Sequence, residues 1–494
     1  MIKRGVQVSL ALVVLLAVLL AVVLVANTLR QGSRQLQVQP LAKLAADGDA
    51  VAQSLAVAVR ARTISGLLDP AGTAAAFDTL HAHLLARYPQ VHSKLQRVVV
   101  GNHGLLFTWP GSDVQLPALA LLAHQDSVPI ATGTEPLSKK PPFAGVIEDG
   151  KLWGRGALDN KSNLITQLEA VEMLLQSGFQ PRRTVISVFG HDGEVGGLQG
   201  ARQIVALLQQ RGVKLGSVLD EGLAVTEGVL PGVKAALALI ALAEKGIVSL
   251  KLVASAPPGH SSMPPAAGNS AIGMLSAALV RLEQQPMPGG ISGAAVEMFA
   301  AVAPELPFGQ RLAVSNLWLF RPLFERMLGS GGGATNAMLR TTTALTIVNA
   351  GNKENVPPGS AEAVVNFRIL PGDTSAGVAA HVKRVIADER IAIVPLGAMA
   401  EPSKLSASQS DAFRLVERTV REVFPDALVA PGMMLAASDA RHFDAIAEQS
   451  LRFMPIRFKP EDPARVHGTD ERIAVTQLVH MVRFYHRLLS QAAG

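Results

Sequence analysis

The chain has no cysteine. No disulfide framework can therefore indicate its compartment, and any metal it holds must rest on His, Asp and Glu. It also lacks a dense Lys/Arg run with interleaved aromatics, and a formal charge of +6 is small for 494 residues. Both facts argue against nucleic acid as a partner. Charged residues make up 17% of the chain and apolar ones 49%. That balance excludes a disordered polymer and suits a folded protein with a greasy segment, long enough for two large cores. No internal repeat is visible.

The N-terminus holds the longest apolar run. Lys3 and Arg4 precede residues 8–26, whose one polar member is Ser9. At about 1.5 Å per residue this run can cross a hydrocarbon core of about 30 Å. Its length, and the lack of a strong A-x-A site after it, favour an uncleaved anchor over a cleaved signal peptide. The basic flank before the run places the N-terminus in the cytoplasm and the body outside, in a periplasmic, extracellular or lumenal space. Residues 1–30 are thus read as a membrane anchor and 31–50 as a polar stalk.

Beyond the stalk, apolar periodicity predicts helices over 51–68 and 74–85. Strands at 118–123, 184–189 and 217–219 then alternate with helices at 162–176 and 201–210, which implies a largely parallel sheet covered on both faces. The rhythm changes near Gly246. Strand 248–255, helix 270–282, strands 345–348 and 363–370, helix 375–387 and strand 391–395 form a ferredoxin-like series. A loosely patterned stretch ending in a flexible segment at 329–333 lies inside it. Helices at 411–424 and 475–489 resume the first pattern. The expected fold class is α/β. Residues 51–245 and 399–494 make a mostly parallel-sheet domain, interrupted by a ferredoxin-like α+β domain over 246–398.

Acids and histidines recur where strands end, which is where α/β sheets gather ligands. His124 and Asp126 close the strand in LALLAHQDSVP, and Asp159 lies before a helix in GRGALDNKSN. Glu194 follows a strand in GHDGEVGG, Asp220 follows one in LDEG, and His467 sits far downstream in HGTDERI. Each alone is an ordinary turn or surface residue. Together, two histidines and three carboxylates meet the needs of paired divalent cations sharing one carboxylate.

With GHSSMPP, RTTTALT, NVPP and SDARHF, these strings resemble the cocatalytic dizinc metallopeptidases. That family includes aminoacylase, glutamate carboxypeptidase and carboxypeptidase S with its secreted N-acyl amino-acid hydrolase relatives, and the last branch is the nearest likeness. The resemblance implies two Zn2+ ions: one held by His124, Asp159 and Asp220, the other by Asp159, Glu194 and His467. Asp126 would orient His124. His260 would steady the oxyanion, in many relatives across a dimer formed through the inserted lid. Asn355, Arg368 and Arg441 would lie near the substrate's carbonyl and carboxylate, since a guanidinium fork pairs with a carboxylate. His191, His442 and Asp439 lie beside the motifs without an assigned role. The implied activity is hydrolysis of the amide of a small peptide or N-acyl amino acid with a free carboxylate.

One position departs from the family's pattern. The family has two consecutive glutamates here, a general base and then a metal ligand. This chain reads Asp192, Gly193, Glu194, so Glu194 takes the ligand position and Gly193 stands where the base belongs. Loss of such a base costs about 10²–10⁴ in rate. Asp192 and Glu221 are the neighbouring carboxylates that could substitute, although adjacent side chains on an extended segment face opposite ways. A catalytically silent zinc-binding homologue is therefore the alternative reading.

Overall fold

Why a sheet forms at the centre is plain from the strand over Ala118–His124, ALALLAH, in which every residue is buried. Leu119, Leu121 and Ala123 enter one apolar core, while Ala118, Ala120 and Leu122 enter another on the opposite face. A strand that is apolar on both faces needs helices on both sides. The computed structural model describes residues 2–42, 44–66, 70–228, 233, 235–331 and 333–494.

In chain order, α1 (Ile2–Arg30) precedes α2 (Gly48–Arg60), α3 (Pro70–Arg87) and α4 (Pro89–Lys94). Strands β1 (Gln96–Val100), β2 (Gly104–Trp109), β3 (Ala118–His124), β4 (Val146–Glu148) and β5 (Lys151–Trp153) come next. Then follow α5 (Lys161–Gln176), β6 (Val185–Gly190), α6 (Ala201–Gln210), β7 (Leu215–Thr226) and β8 (Leu237–Glu244). The inserted unit comprises β9 (Gly246–Ser255), α7 (Ala271–Gln284), α8 (Ala294–Val302), α9 (Phe308–Ser315), α10 (Leu317–Ser330), α11 (Gly333–Leu339), β10 (Thr342–Ala350), β11 (Ser360–Ile369), α12 (Ser375–Ile386) and β12 (Ile391–Ala400). The chain closes with α13 (Asp411–Val423), β13 (Leu428–Met434), β14 (Ala447–Phe458), β15 (Arg472–Ala474) and α14 (Val475–Ala493).

The main sheet has eight strands in the order β1-β2-β6-β3-β7-β14-β8-β13. Its centre, β6-β3-β7-β14, is parallel. The β1–β2 hairpin joins β6 antiparallel, and β8 runs antiparallel to β7 and β14. The sheet is therefore mixed, where a mostly parallel one was expected. The antiparallel pairs β1–β2 and β7–β8 are joined by short connections, whereas β13, parallel to β8, is reached through the inserted unit and α13. A small sheet, β15-β5-β4, stands apart and carries the loop before β15.

The second sheet, β10-β11-β9-β12, is antiparallel throughout, the order of a ferredoxin-like unit. Val248, Leu250 and Leu252 of β9 pack with Met274 and Leu275 of α7 and Val378 and Val382 of α12. The loosely patterned stretch within this unit is four helices, α8–α11. They do not extend the ferredoxin core: Met298, Ala301 and Val302 of α8 pack on Leu237 of β8 and Ala430 of β13. Of the expected flexible 329–333 segment, residues 329–330 close α10 and Gly333 opens α11, while residue 332 lies outside the described residues.

The expected stalk is instead a strap bound to the body. Gln35 donates from Nε2 to the Val429 carbonyl and accepts from the Val429 amide, at 2.9 and 2.7 Å. Leu41 N donates to Glu422 O, and Arg421 Nε donates to Leu36 O. Asp47 then caps α2 by accepting from Ala50 N, so the helix starts inside the range read as stalk.

Candidate metal centre

β3 ends on His124, which projects from the sheet's carboxyl edge. Its Nδ1 lies 3.0 Å from Asp126 Oδ1, which leaves Nε2 to face Asp159 Oδ1 at 3.0 Å and Glu221 Oε1 at 3.4 Å. His467 Nε2 lies 3.0 Å from the other oxygen of Asp159 and 3.2 Å from Glu194 Oε2. Two groups result, His124–Asp159–Glu221 and Asp159–Glu194–His467, each with its ligand atoms within 4.8 Å of one another. Asp159 belongs to both and offers one oxygen to each. Glu194 Oε1 is buried without a hydrogen-bond partner, as a donor aimed at a cation would be. The donor set is hard to borderline, and His124 is oriented by a carboxylate on its far nitrogen, so the residues fit divalent metal.

Glu221, not Asp220, completes the first group. Both Asp220 oxygens are taken: Oδ1 accepts from Glu221 N and Oδ2 from Ala440 N, each at 2.8 Å. The cause is a bulge in β7. Arg452 of β14 pairs with Asp220 and Phe453 with Leu223, so Glu221 and Gly222 stand outside the ladder. Gly222 is required there, because an added Cβ would meet Arg452 Cβ at 2.5 Å. A bulge re-aims side chains, and here it turns the second carboxylate toward the site.

The electrostatics follow from crowding. Burial alone would lower the His124 imidazole, but the Glu221 charge and hydrogen bonds with Asp126 and Asp159 outweigh it and hold it well above its ordinary value. Burial, then the Asp159 charge, pushes Glu221 well up. Hydrogen bonds to Asp159 and Glu194 raise His467 to about 10. Burial pushes Asp220 to about 6 and, with the charge of Asp220, takes Asp439 to about 8.

Asp126 also accepts from the amides of Gly193 and Glu194, both at 3.1 Å, tying the turn after β6 to the His124 ring. That turn lies so close that a Cβ on Gly193 would sit 2.8 Å from both Cβ and Cγ of His124. Asp192 is no substitute base, since its oxygens accept from Gln199 N and Gly200 N. Glu221 is engaged with His124.

The remaining expected residues divide. Arg441 Nη2 and His442 Nε2 both approach Gly196 O, at 3.1 and 2.9 Å. Burial, and after it the nearby Arg441 charge, lowers the guanidinium of Arg368 on β11, and burial, then the Arg368 charge, lowers Lys245 to about 8. Arg368 makes no ion pair among the described residues. His260 is exposed on the inserted unit, where its Nδ1 accepts from Ser262 N, and Ser261 N donates to Asn355 O. Neither His260 nor Asn355 bonds to the five converging residues. His191 faces away, in a ring cluster with Phe77 and His103.

Two buried ion pairs escaped sequence reasoning. Arg155 Nη1 donates to Glu471 Oε2 and its Nη2 to His467 O, while Glu471 Oε1 accepts from Leu158 N. This clamp joins the loops of Asp159 and His467. Arg452 donates to Glu244, which also accepts from Ser438 N and Oγ, fixing the turn that carries Arg441. Neither pair left a local signal, because each partner lies hundreds of residues away.

An α/β sheet that brings two histidines and three carboxylates together, Asp159 shared between two groups, could hold divalent cations, and the family match makes the protein a hydrolase. Residues 120–491 match Peptidase family M20/M25/M40, and the chain belongs to that family. It is similar to Probable carboxypeptidase S-like 2 of Dictyostelium discoideum, 38% identical over 94% of this chain and 91% of that protein. N-fatty-acyl-amino acid synthase/hydrolase PM20D1.1 of Danio rerio is 40% identical over 82% of this chain and 78% of its own. The M20 family metallo-carboxypeptidase Sso-CP2 from Sulfolobus solfataricus superposes with a TM-score of 0.63 at 17% identity, covering 89% of this chain and 98% of that one, a likeness of fold.

Proposed function

We propose that this hydrolase cleaves the amide bond of N-acyl amino acids or small peptides that end in a free carboxylate, using two divalent ions, most simply Zn2+. His124, Asp159 and Glu221 would hold one ion and Asp159, Glu194 and His467 the other. When bound, such a pair acidifies water and polarises a carbonyl. The observation that carries the reading is the shared Asp159, with a different oxygen toward each histidine. Arg368, without an ion pair among the described residues, and the neighbouring Arg441 suit the substrate's carboxylate, while the buried Lys245 beside Arg368 is held by the Ala337 and Arg340 carbonyls. Asp126 would keep the His124 ring turned with Nε2 toward the site. His260 and Asn355, outside the site of their own chain, would serve across a dimer formed through the ferredoxin-like unit. The chain would be anchored by α1, with its body outside the cytoplasm.

The test is turnover by purified, metal-loaded protein on paired N-acyl amino acids and their methyl esters. Hydrolysis of the acids with KM far below that of the esters is expected, and Arg368→Lys should raise KM on the acids more than it lowers kcat. Equal KM for acid and ester would remove the carboxylate assignment. Gly193 favours a second reading, a protein that binds carboxylated ligands through the same arginines and does not turn them over. Binding of the acids measured by calorimetry, with no product after long incubation, would select it.

A further inference from the structure

α1 is exposed from Val6 to Val23 and apolar on every side, but its last turns are gripped. Asn316, at the junction of α9 and α10, donates from Nδ2 to Leu24 O at 3.0 Å and Thr28 Oγ1 at 3.3 Å, and accepts from Asn27 Nδ2 at 3.1 Å. Arg311 Nη2 donates to the carbonyls of Thr28 and Gln31. The inserted helices therefore meet α1 where its apolar stretch ends. Residues 6–24 span about 28 Å at about 1.5 Å each, one hydrocarbon core, so the α9–α10 junction falls at the level of the headgroups.

From that junction α10 presents two apolar faces. Leu317, Phe324 and Leu328 pack inward with Ile291, Ala295 and Leu339. Trp318, Leu319, Leu323 and Met327 face outward, Trp318 60% exposed, Leu323 56% and Met327 58%. Positions 319, 323 and 327 repeat every fourth residue and form one stripe. Trp318 turns its indole N–H back to Asn316 Oδ1 at 3.1 Å and leaves its ring outside. Arg321 and Arg326 flank the stripe and are exposed. A tryptophan with a satisfied N–H, an apolar stripe and flanking arginines is the composition of a helix lying in a membrane interface.

We propose that the outer face of α10 is a membrane-surface contact that seats Trp318, Leu323 and Met327 in the leaflet where α1 ends. The occupant is lipid, because this stripe continues from the end of a helix whose all-round apolar surface is matched only by hydrocarbon. The proposal rests on reading α1 as the membrane span. Together the two contacts hold the body at a fixed height and tilt, through α8 and β13.

The absence of native cysteine permits a direct test on the full chain in proteoliposomes. Single variants Leu323→Cys and Met327→Cys carry a fluorophore, with Val13→Cys reporting on α1 and Val114→Cys, 82% exposed, as the aqueous control. Expected for positions 323 and 327 are a blue-shifted emission, loss of quenching by aqueous iodide and gain of quenching by lipids spin-labelled near the headgroup. Position 13 should respond only to lipids labelled deep in the chain. Iodide quenching at 323 and 327 equal to that at 114 overturns the proposal, whatever position 13 does. Protection from both iodide and lipid labels would mean a protein covers the face, and overturns it too. An aqueous position 13 with lipid-quenched 323 and 327 would remove the span reading and leave the surface contact standing.

Discussion

Asp220 and Glu221 are adjacent carboxylates with different duties. Glu221 faces His124, and Asp220 braces β7 to the turn at Ala440. Glu221→Gln should therefore lower bound zinc from about two ions per chain toward one, read by elemental analysis. Asp220→Asn should keep both ions and lose about 1–3 kcal/mol of stability, since the amide group must face a backbone N–H that a carboxylate oxygen now accepts. Retention of both ions in Glu221→Gln would return the ligand role to Asp220. The histidines add a pH dependence. In the metal-free chain His467 is raised to about 10, so its ion pairs stabilise fully below the unfolded value of about 6.5 and are lost as pH climbs through 10. The metal-free Tm should fall over that interval. Zinc affinity should rise over it, because the ion competes with a proton at Nε2. A metal-free Tm that rises with pH would contradict the pairing. At Gly193 the missing carboxylate and the missing space are separate effects, and two variants separate them. Gly193→Ala adds the Cβ that meets the His124 ring at 2.8 Å and should lower both zinc affinity and activity. Gly193→Glu carries the same clash with a proton acceptor, so its kcat/KM should exceed that of Gly193→Ala by on the order of 10²–10⁴. Equal rates for the two at matched zinc content would mean that no base acts from this position.

The strap shows how an element without regular structure can be part of the fold. Gln35 is nearly buried and completes both hydrogen bonds of Val429, extending the edge of β13. Gln35→Ala leaves a buried N–H and C=O unpaired and should cost about 1–3 kcal/mol in denaturant unfolding. A cost near zero would make the strap a passive tether, as its polar sequence suggests. Other elements were legible because one periodicity ruled them: α6 over 201–210, α12 and α13 lie where apolar spacing puts them, and β3 where its apolar run does. The misses have physical reasons. β8 as far as Ala243 and β13 hold no polar side chain, and a short run buried on both faces carries no period. The insertion lost its helical signal because α10 is apolar on the side toward the body and on the side away from it. In the site, His124, Asp159 and Glu194 were readable as residue types at strand and helix ends, and His467 through the HGTDERI string, in the loop before β15. The choice between Asp220 and Glu221 was not, because the bulge depends on pairing with β14, more than two hundred residues on.

At the scale of the whole molecule, the chain is a body attached to a long apolar helix by specific hydrogen bonds, and we take that arrangement as support for the proposed anchor over a cleaved signal peptide. A signal peptide is discarded, so its end has no need of partners in the mature fold. Here Leu24 O, Asn27 and Thr28 engage Asn316, while Arg311 reaches Thr28 and Gln31. A cut just after the apolar run would remove Leu24, one of three acceptors around the buried Asn316 amide, with Leu312 O at 2.8 Å and Thr28 Oγ1 at 3.3 Å remaining. We therefore expect the chain to stay in the membrane pellet after carbonate washing, and the N-terminus of the isolated protein to precede residue 8. Asn316→Ala should not release it, because under the proposed reading the span itself would supply the anchorage. It should loosen the body on the anchor and speed proteolysis between α1 and Gln35. A mature chain beginning after Ala26, released by the same wash, would make the segment a signal peptide and leave α10 as the one membrane-facing element of the fold.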